Sequence, residues 1–290
     1  MTYEEVLYEV DDPVATVTLN RPKQLNAFTT RMGNELRAAV GEAERDSRVV
    51  GIVITGAGRG FCAGADMNML SGISDSAGGG ERGADRDAAS DRDAGTAADA
   101  ADAGDPSWGE DLRGTYTYLM SVPKPIIAAI NGPIAGMAVP IALACDLRFM
   151  ARDALLTVAF SQRGLIAEWG VSWMLPRLVG SAAALDLLFS SRKVDGEECE
   201  RIGLVNRAVD GSVADVARAY IVDLAAKCSP SSLAVMKRQV YQQLHAGLGP
   251  AEREAQALMV ESFGRPDFGE GVRSFMEKRP PKFGRLPTAG

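Results

Sequence analysis

Two short glycine-rich segments carry the first sign of chemistry. Gly58-Arg-Gly-Phe-Cys-Ala-Gly-Ala-Asp66 and Asn131-Gly-Pro-Ile-Ala-Gly-Met-Ala138 each follow a β-branched run and each lead into a helical pattern. Glycine lets a backbone turn sharply with its N–H groups exposed, and the first turn of a helix has N–H groups without partners inside the helix. Two such turns brought together would aim two donors at one developing negative oxygen, the arrangement that stabilises an enolate or a tetrahedral intermediate. Other catalytic sets are poorly supplied. His245 is the only histidine, and at the end of the helical pattern Gln242-Gln-Leu-His-Ala-Gly247 it reads as a surface residue near a C-cap rather than a triad base. Cys62, Cys145, Cys199 and Cys228 are scattered, without the paired short spacing of a zinc or dithiol site, so no metal is expected and a reducing, cytoplasmic setting is.

These turns need elements to position them, and the composition supplies enough. The 290 residues are 46% hydrophobic and 24% charged, sufficient for one large domain or a domain with an appendage. The most apolar region, 122–150, is interrupted by Lys124, Pro125, Asn131, Gly132, Pro133 and Pro140, so no membrane span is expected there. Between Ser71 and Asp111 eleven acids face three arginines, a net −8 that exceeds the chain's −7 and leaves the remainder about neutral. A basic surface able to track phosphates is therefore missing, and nucleic acid is not an expected partner.

Residues 4–19 alternate as a hairpin turning at Asp11-Asp12-Pro13, and Thr29 can cap a helix with the apolar stripe Met32, Leu36, Ala39, Val40 and Ala43. The pattern predicts a strand over 49–55, a helix opening at 66–70, a helix around 112–120, a strand over 123–130 and a helix over 137–145. Strands follow over 146–151 and 155–160, and from Ser172 onward the pattern is mainly helical. Residues 72–109, rich in Gly, Ala, Asp and Ser, bury too little apolar surface to fold alone and read as a mobile surface insertion, with Trp108 at its exit as the residue that docks. A lid is the weaker reading of that insertion.

Ile54-Thr-Gly-Ala-Gly-Arg-Gly60 after a strand resembles the start of a dinucleotide-binding unit, but the third glycine of that fingerprint falls on neither Phe61 nor Cys62. The whole chain instead resembles the enoyl-CoA hydratase/isomerase, or crotonase, superfamily. The resemblance rests on Leu19-Asn-Arg-Pro22, Leu25-Asn-Ala-Phe28, Phe61-Cys-Ala-Gly-Ala-Asp66, Pro123-Lys-Pro125, Asn131-Gly132, Cys145-Asp146, Leu175-Pro-Arg-Leu-Val-Gly180 and Phe275-Met-Glu-Lys-Arg279, all in order.

It implies an α/β fold: a crotonase-like spiral of ββα units over 1–200, carrying the insertion, then an α-helical C-terminal trimerisation region over 201–290. It implies a homotrimer or dimer of trimers, an acyl-CoA thioester substrate, and no cofactor beyond the CoA moiety of that substrate. The matching oxyanion donors are the N–H groups of Ala65 and Met137. Arg21, Lys23, Leu25 and Ala27 match an early loop near the adenine and phosphates of CoA; Ala63, Asp66 and Met67 match positions beside the pantetheine arm. Phe275 and Lys278 match C-terminal residues that contact the nucleotide end.

The acid–base groups separate the reactions of this family. Its hydratases use two glutamates, whose positions fall here on Pro140 and Phe160, neither able to transfer a proton. Glu168, in Gly164-Leu-Ile-Ala-Glu-Trp-Gly170, matches the acid that serves as single base in the family's Δ3,Δ2-enoyl-CoA isomerases. Packed between apolar residues and Trp169, it should have a raised pKa suited to taking and returning a proton. A double-bond shift from 3-enoyl-CoA to 2-enoyl-CoA is the expected reaction; a hydratase, lyase or hydrolase with relocated groups and a catalytically silent CoA-binding protein are the alternatives.

Overall fold

Buried aliphatic strands and one amphipathic helix build the first layer around the glycine turns. The computed structural model describes residues 2–66 and 103–287. β1 (Val6–Asp11) and β2 (Val14–Leu19) form the expected antiparallel hairpin, with Val6 opposite Leu19 and Asp11 opposite Val14. In α1 (Thr30–Arg45) the Thr29 hydroxyl accepts from the Met32 N–H at 3.0 Å, and Met32, Leu36, Ala39, Val40 and Ala43 are all buried. β3 (Gly51–Gly56) and β4 (Ile126–Ile130) are buried along their whole length, which is why they read as continuous apolar runs.

β6 (Leu147–Ala151) and β9 (Arg207–Val209) complete a six-stranded sheet of order β1-β2-β3-β4-β6-β9, parallel from β2 onward. A second sheet of order β5-β7-β8 joins β5 (Ile134–Ala135), β7 (Leu155–Thr157) and β8 (Val194–Asp195). β5, β8 and β9 were not expected from the pattern, because two or three residues are too few to show a period.

Helices lie between and over the strands: α2 (Tyr118–Ser121), α3 (Ala138–Ala144), α4 (Val171–Ser190), α5 (Gly196–Arg201) and α6 (Val213–Lys227). α6 packs across β2, β3, β4 and β6 through Ala217 and Ile221. The core boundary expected at residue 200 therefore moves to about residue 228, since β9 is a sheet strand and α6 covers the sheet. Beyond it, α7 (Pro230–Gln243), α8 (Leu248–Phe263) and α9 (Pro266–Met276) form a helical arm whose Val240, Leu248, Val260 and Phe275 are exposed.

The helix expected over 112–120 is corrected: 3-10 turns at Pro106–Trp108 and Glu110–Leu112 precede the single turn of α2. Gly109, at φ 105°, and Gly114 interrupt the run. Of the acidic insertion, 72–102 lies outside the described residues, as do Met67 and the rest of the helix expected over 66–70. Its end is docked: Trp108 is buried, its carbonyl accepts from Gln242 Nε2 at 3.2 Å, and the Gly104 N–H donates to Glu44 at 2.8 Å. α4 is long and apolar enough to cross a membrane by length and composition, but its chain breaks at Gly180 (φ 76°, ψ 160°), which divides it into two shorter helices.

Candidate active site

The two glycine turns lie against one another because their backbones are hydrogen-bonded together. Phe61 N and Cys62 N donate to Pro133 O at 3.1 and 3.2 Å, and Ala135 N donates to Cys62 O at 3.1 Å. Two buried or half-buried amides fix the turns from beneath. Asn131 Nδ2 donates to Gly56 O and Gly58 O, while its Oδ1 accepts from Gly56 N. Asn26, fully buried, donates through Nδ2 to Ala57 O, Gly60 O and Phe61 O and accepts from Arg21 N. Gly132 is required by proximity, since a Cβ there would sit 2.1 Å from Arg59 O. Neither asparagine was singled out by sequence as a clamp; an Asn beside a glycine turn is too common a signal.

Two donors are left over. The bridge between Phe28 and Ala65 uses Phe28 N to Gly64 O and Asp66 N to Phe28 O, so the Ala65 N–H points away from that bridge. Met137 sits at the N-cap of α3, ahead of the first intrahelical bond, and Gly136 N is already engaged with Thr157 O. Among the described residues neither the Ala65 nor the Met137 N–H has a partner. The turns approach closely here: a Cβ on Gly64, whose φ is 96°, would lie 2.9 Å from Ala135 O and 3.7 Å from Met137 N.

Both residues line a cavity of about 390 Å³, along with Ala27, Ala63, Asp66, Phe160, Arg163, Leu165 and Glu168. Its carboxylates are two. Asp66 is paired with Arg21 Nη1 at 2.9 Å, whereas Glu168 is half-buried without an ion pair among the described residues. Burial pushes the Glu168 carboxyl above the ordinary carboxylate range, and the neighbouring Trp169 indole N–H opposes that in part by favouring the ionised form. Phe160 stands in the wall, and Pro140 is buried within α3. No cluster of His, Cys, Asp or Glu suited to a metal occurs among the described residues.

Of the other residues matched to CoA positions, Ala27, Ala63 and Asp66 line the cavity; Leu25 does not, although its carbonyl accepts from Ala63 N at 3.0 Å. Arg21 is not a solvated loop cation: Nη1 donates to Ala27 O at 2.5 Å, and the guanidinium pairs with both Asp66 and Glu5, which ties the early loop to the first glycine turn. Lys23 is exposed outside the cavity wall, and Phe275 and Lys278 lie on the exposed surface of the arm. His245 is exposed, as expected, and stacks on Trp173 with ring centroids 5.3 Å apart.

A cavity carrying two idle main-chain amides and a desolvated carboxylate is equipped for enolate chemistry on a carbonyl compound, and the two-sheet framework around it is that of the crotonase-fold enzymes. The chain belongs to the enoyl-CoA hydratase/isomerase family, whose model matches residues 9–86 and 82–285. It is 34% identical to a Rhodobacter capsulatus protein named "Probable enoyl-CoA hydratase", over 98% of this chain and 99% of that one. It is 33% identical to the 1,2-epoxyphenylacetyl-CoA isomerase of Escherichia coli K12, over 97% and 98% respectively. The crystal structure of an enoyl-CoA hydratase from Polaromonas sp. JS666 superposes with a TM-score of 0.80 at 25% identity, over 96% of this chain and 99% of that one. The family acts on acyl-CoA thioesters.

Proposed function

We propose that the protein shifts a carbon–carbon double bond in an acyl-CoA, converting a 3-enoyl-CoA to a 2-enoyl-CoA. The thioester carbonyl accepts from the N–H groups of Ala65 and Met137, which makes the C2 proton acidic enough to remove. The Glu168 carboxylate takes that proton, and the electron pair delocalises onto the thioester oxygen as a dienolate. Glu168, now a carboxylic acid, returns the proton to C4; the double bond moves to C2–C3 and the base is regenerated. The observation that carries this reading is that Glu168 is the cavity's one carboxylate without an ion pair among the described residues; the two glutamate positions implied by the family resemblance fall on Pro140 and Phe160. One carboxylate suffices for a proton shuttle, whereas adding water across a double bond asks two groups to position and protonate. The name of the Escherichia coli relative, an isomerase of an acyl-CoA, agrees with this choice.

A homotrimer or a dimer of trimers is part of the same proposal, supported by the exposed apolar side chains of α7, α8 and α9. Purified protein should isomerise 3-enoyl-CoA thioesters, followed by the conjugated product's ultraviolet absorbance, and hydrate 2-enoyl-CoA slowly or not at all. Fast hydration with little isomerisation would overturn the assignment.

A further inference from the structure

Next to the base stands an aromatic residue held in a conformation it would not choose. Trp169 has φ 54°, in the left-handed region that bulky side chains rarely occupy, and Gly170 follows at φ 78°. Together they reverse the chain between Glu168, whose carbonyl accepts from Val171 N at 3.0 Å, and the first turn of α4. Such a backbone persists only where its surroundings over-determine it.

What holds Trp169 is a ladder of rings. Its indole meets Tyr116 edge-on at 5.7 Å between centroids, and Tyr116 meets Phe28 edge-on at 5.8 Å. Phe28 is the residue bridged to Ala65 by its main chain. The ladder therefore runs from the segment carrying the first oxyanion donor to the residue beside the base.

The indole Nε1 is buried without a hydrogen-bond partner, and the residue directly before it in the chain is Glu168, whose side chain lines the cavity. A buried donor left unmatched in the resting protein is costly, so a strained residue presenting one beside the base calls for a use. Accepting the reading of Glu168 as the base, we propose that Trp169 is its positioning residue: the indole N–H holds one carboxylate oxygen and leaves the other to carry the proton between the two acyl carbons.

A donor fixed on one oxygen would keep the carboxylate from rotating away between the two transfers, and it would keep the base ionised despite its burial. Few other groups act there. Asp66 is tied to Arg21, Arg163 Nη1 donates to Ala159 O at 2.9 Å, and Tyr116 turns its ring to Trp169; none of these contributes to the shift at Glu168.

The test compares wild type with Trp169→Phe and with benzothienylalanine at position 169, which keeps the indole shape but replaces N–H by sulfur. In protein labelled with ¹³C at the glutamate carboxyls, the Glu168 resonance is assigned by its loss in Glu168→Gln and titrated. Both replacements should raise the titration midpoint by about one pH unit, as expected for a lost hydrogen bond to a charged acceptor. The acidic limb of the kcat/KM profile should move by the same amount, so that activity falls about tenfold at acid pH and much less at alkaline pH. A Tyr116→Leu variant, which keeps the N–H but loosens the ladder that holds the indole, should move the midpoint in the same direction by a smaller amount. If the two replacements titrate like wild type, Trp169 only packs and the proposal is lost. If the midpoint moves but wild type does not isomerise, the assignment of the reaction fails and the Trp169–Glu168 contact stands.

Discussion

The two halves of the cavity are built on opposite plans. The oxyanion half is rigid main chain: two glycine turns cross-linked by backbone bonds, clamped by Asn26 and Asn131, and growing out of β3 and β4, which are buried throughout. The base half is a loop, 161–170, whose first six residues are exposed and whose backbone takes left-handed conformations at Gly164, Trp169 and Gly170. The contrast matches the two tasks. Stabilising a developing charge needs dipoles that do not reorganise, whereas moving a proton between two carbons needs one side-chain oxygen within reach of both.

The largest effect should come from the base half through its side chain. Glu168→Gln keeps size and polarity but cannot take a proton, so kcat should fall by about 10²–10⁴. The affinity for a saturated acyl-CoA, measured by calorimetry, should stay within a factor of about two because the substitution preserves shape and the oxyanion donors remain. A variant with wild-type kcat would show that the base lies elsewhere.

In the oxyanion half the main chain, not the side chain, should be the sensitive part. Gly64→Ala adds a Cβ 2.9 Å from Ala135 O on a residue at φ 96°, which pushes the two turns apart beside Met137 N. Its kcat should fall by about 10²–10³, the loss expected when one oxyanion donor is misplaced. Met137→Ala, which alters a side chain and retains the amide, should leave kcat nearly unchanged on short acyl chains. Equal losses in the two variants would dissolve the distinction between the halves. One step smaller in activity but measurable in stability, Asn131→Ala leaves Gly56 and Gly58 groups unmatched and should lower the denaturant-derived stability by about 2–4 kcal/mol.

The same division explains what the amino-acid sequence disclosed. β2, α1, β3 and β4 were legible because each buries a face or a whole strand, and burial prints a period or an apolar run on the residues. Glycine turns announced the oxyanion half, since Gly64 and Gly132 are there for reasons of backbone geometry alone. The base half carried no local signal: Glu168 stood out only through resemblance to a family and through the apolar residues beside it. Lys124 lay within the strand expected over 123–130; it is buried just ahead of β4, with Nζ on Ala43 O and Asp46 O, a contact across the fold that no nearby residue foretells. Arg21 was matched to the CoA site, and its ion pairs with Glu5 and Asp66 became visible only when distant segments met.

The smallest effect sharpens the contrast most, because it sets stability against activity at a single atom. Glu168 is held above its ordinary pKa by desolvation, so between the unfolded value of about 4.3 and its raised folded value the native state binds more protons than the unfolded chain. Stability contributed by this group therefore falls as pH rises through that window, and at neutral pH the charged carboxylate is a burden on the fold. Glu168→Gln removes the burden. The inactive variant should be more stable than wild type at pH 7, by less than about 1 kcal/mol because the group is only half-buried, and the two should converge below about pH 4. Thermal melts across pH 4–8 measure the difference directly. A variant less stable than wild type at pH 7 would mean that the contacts favouring the Glu168 carboxylate outweigh its desolvation.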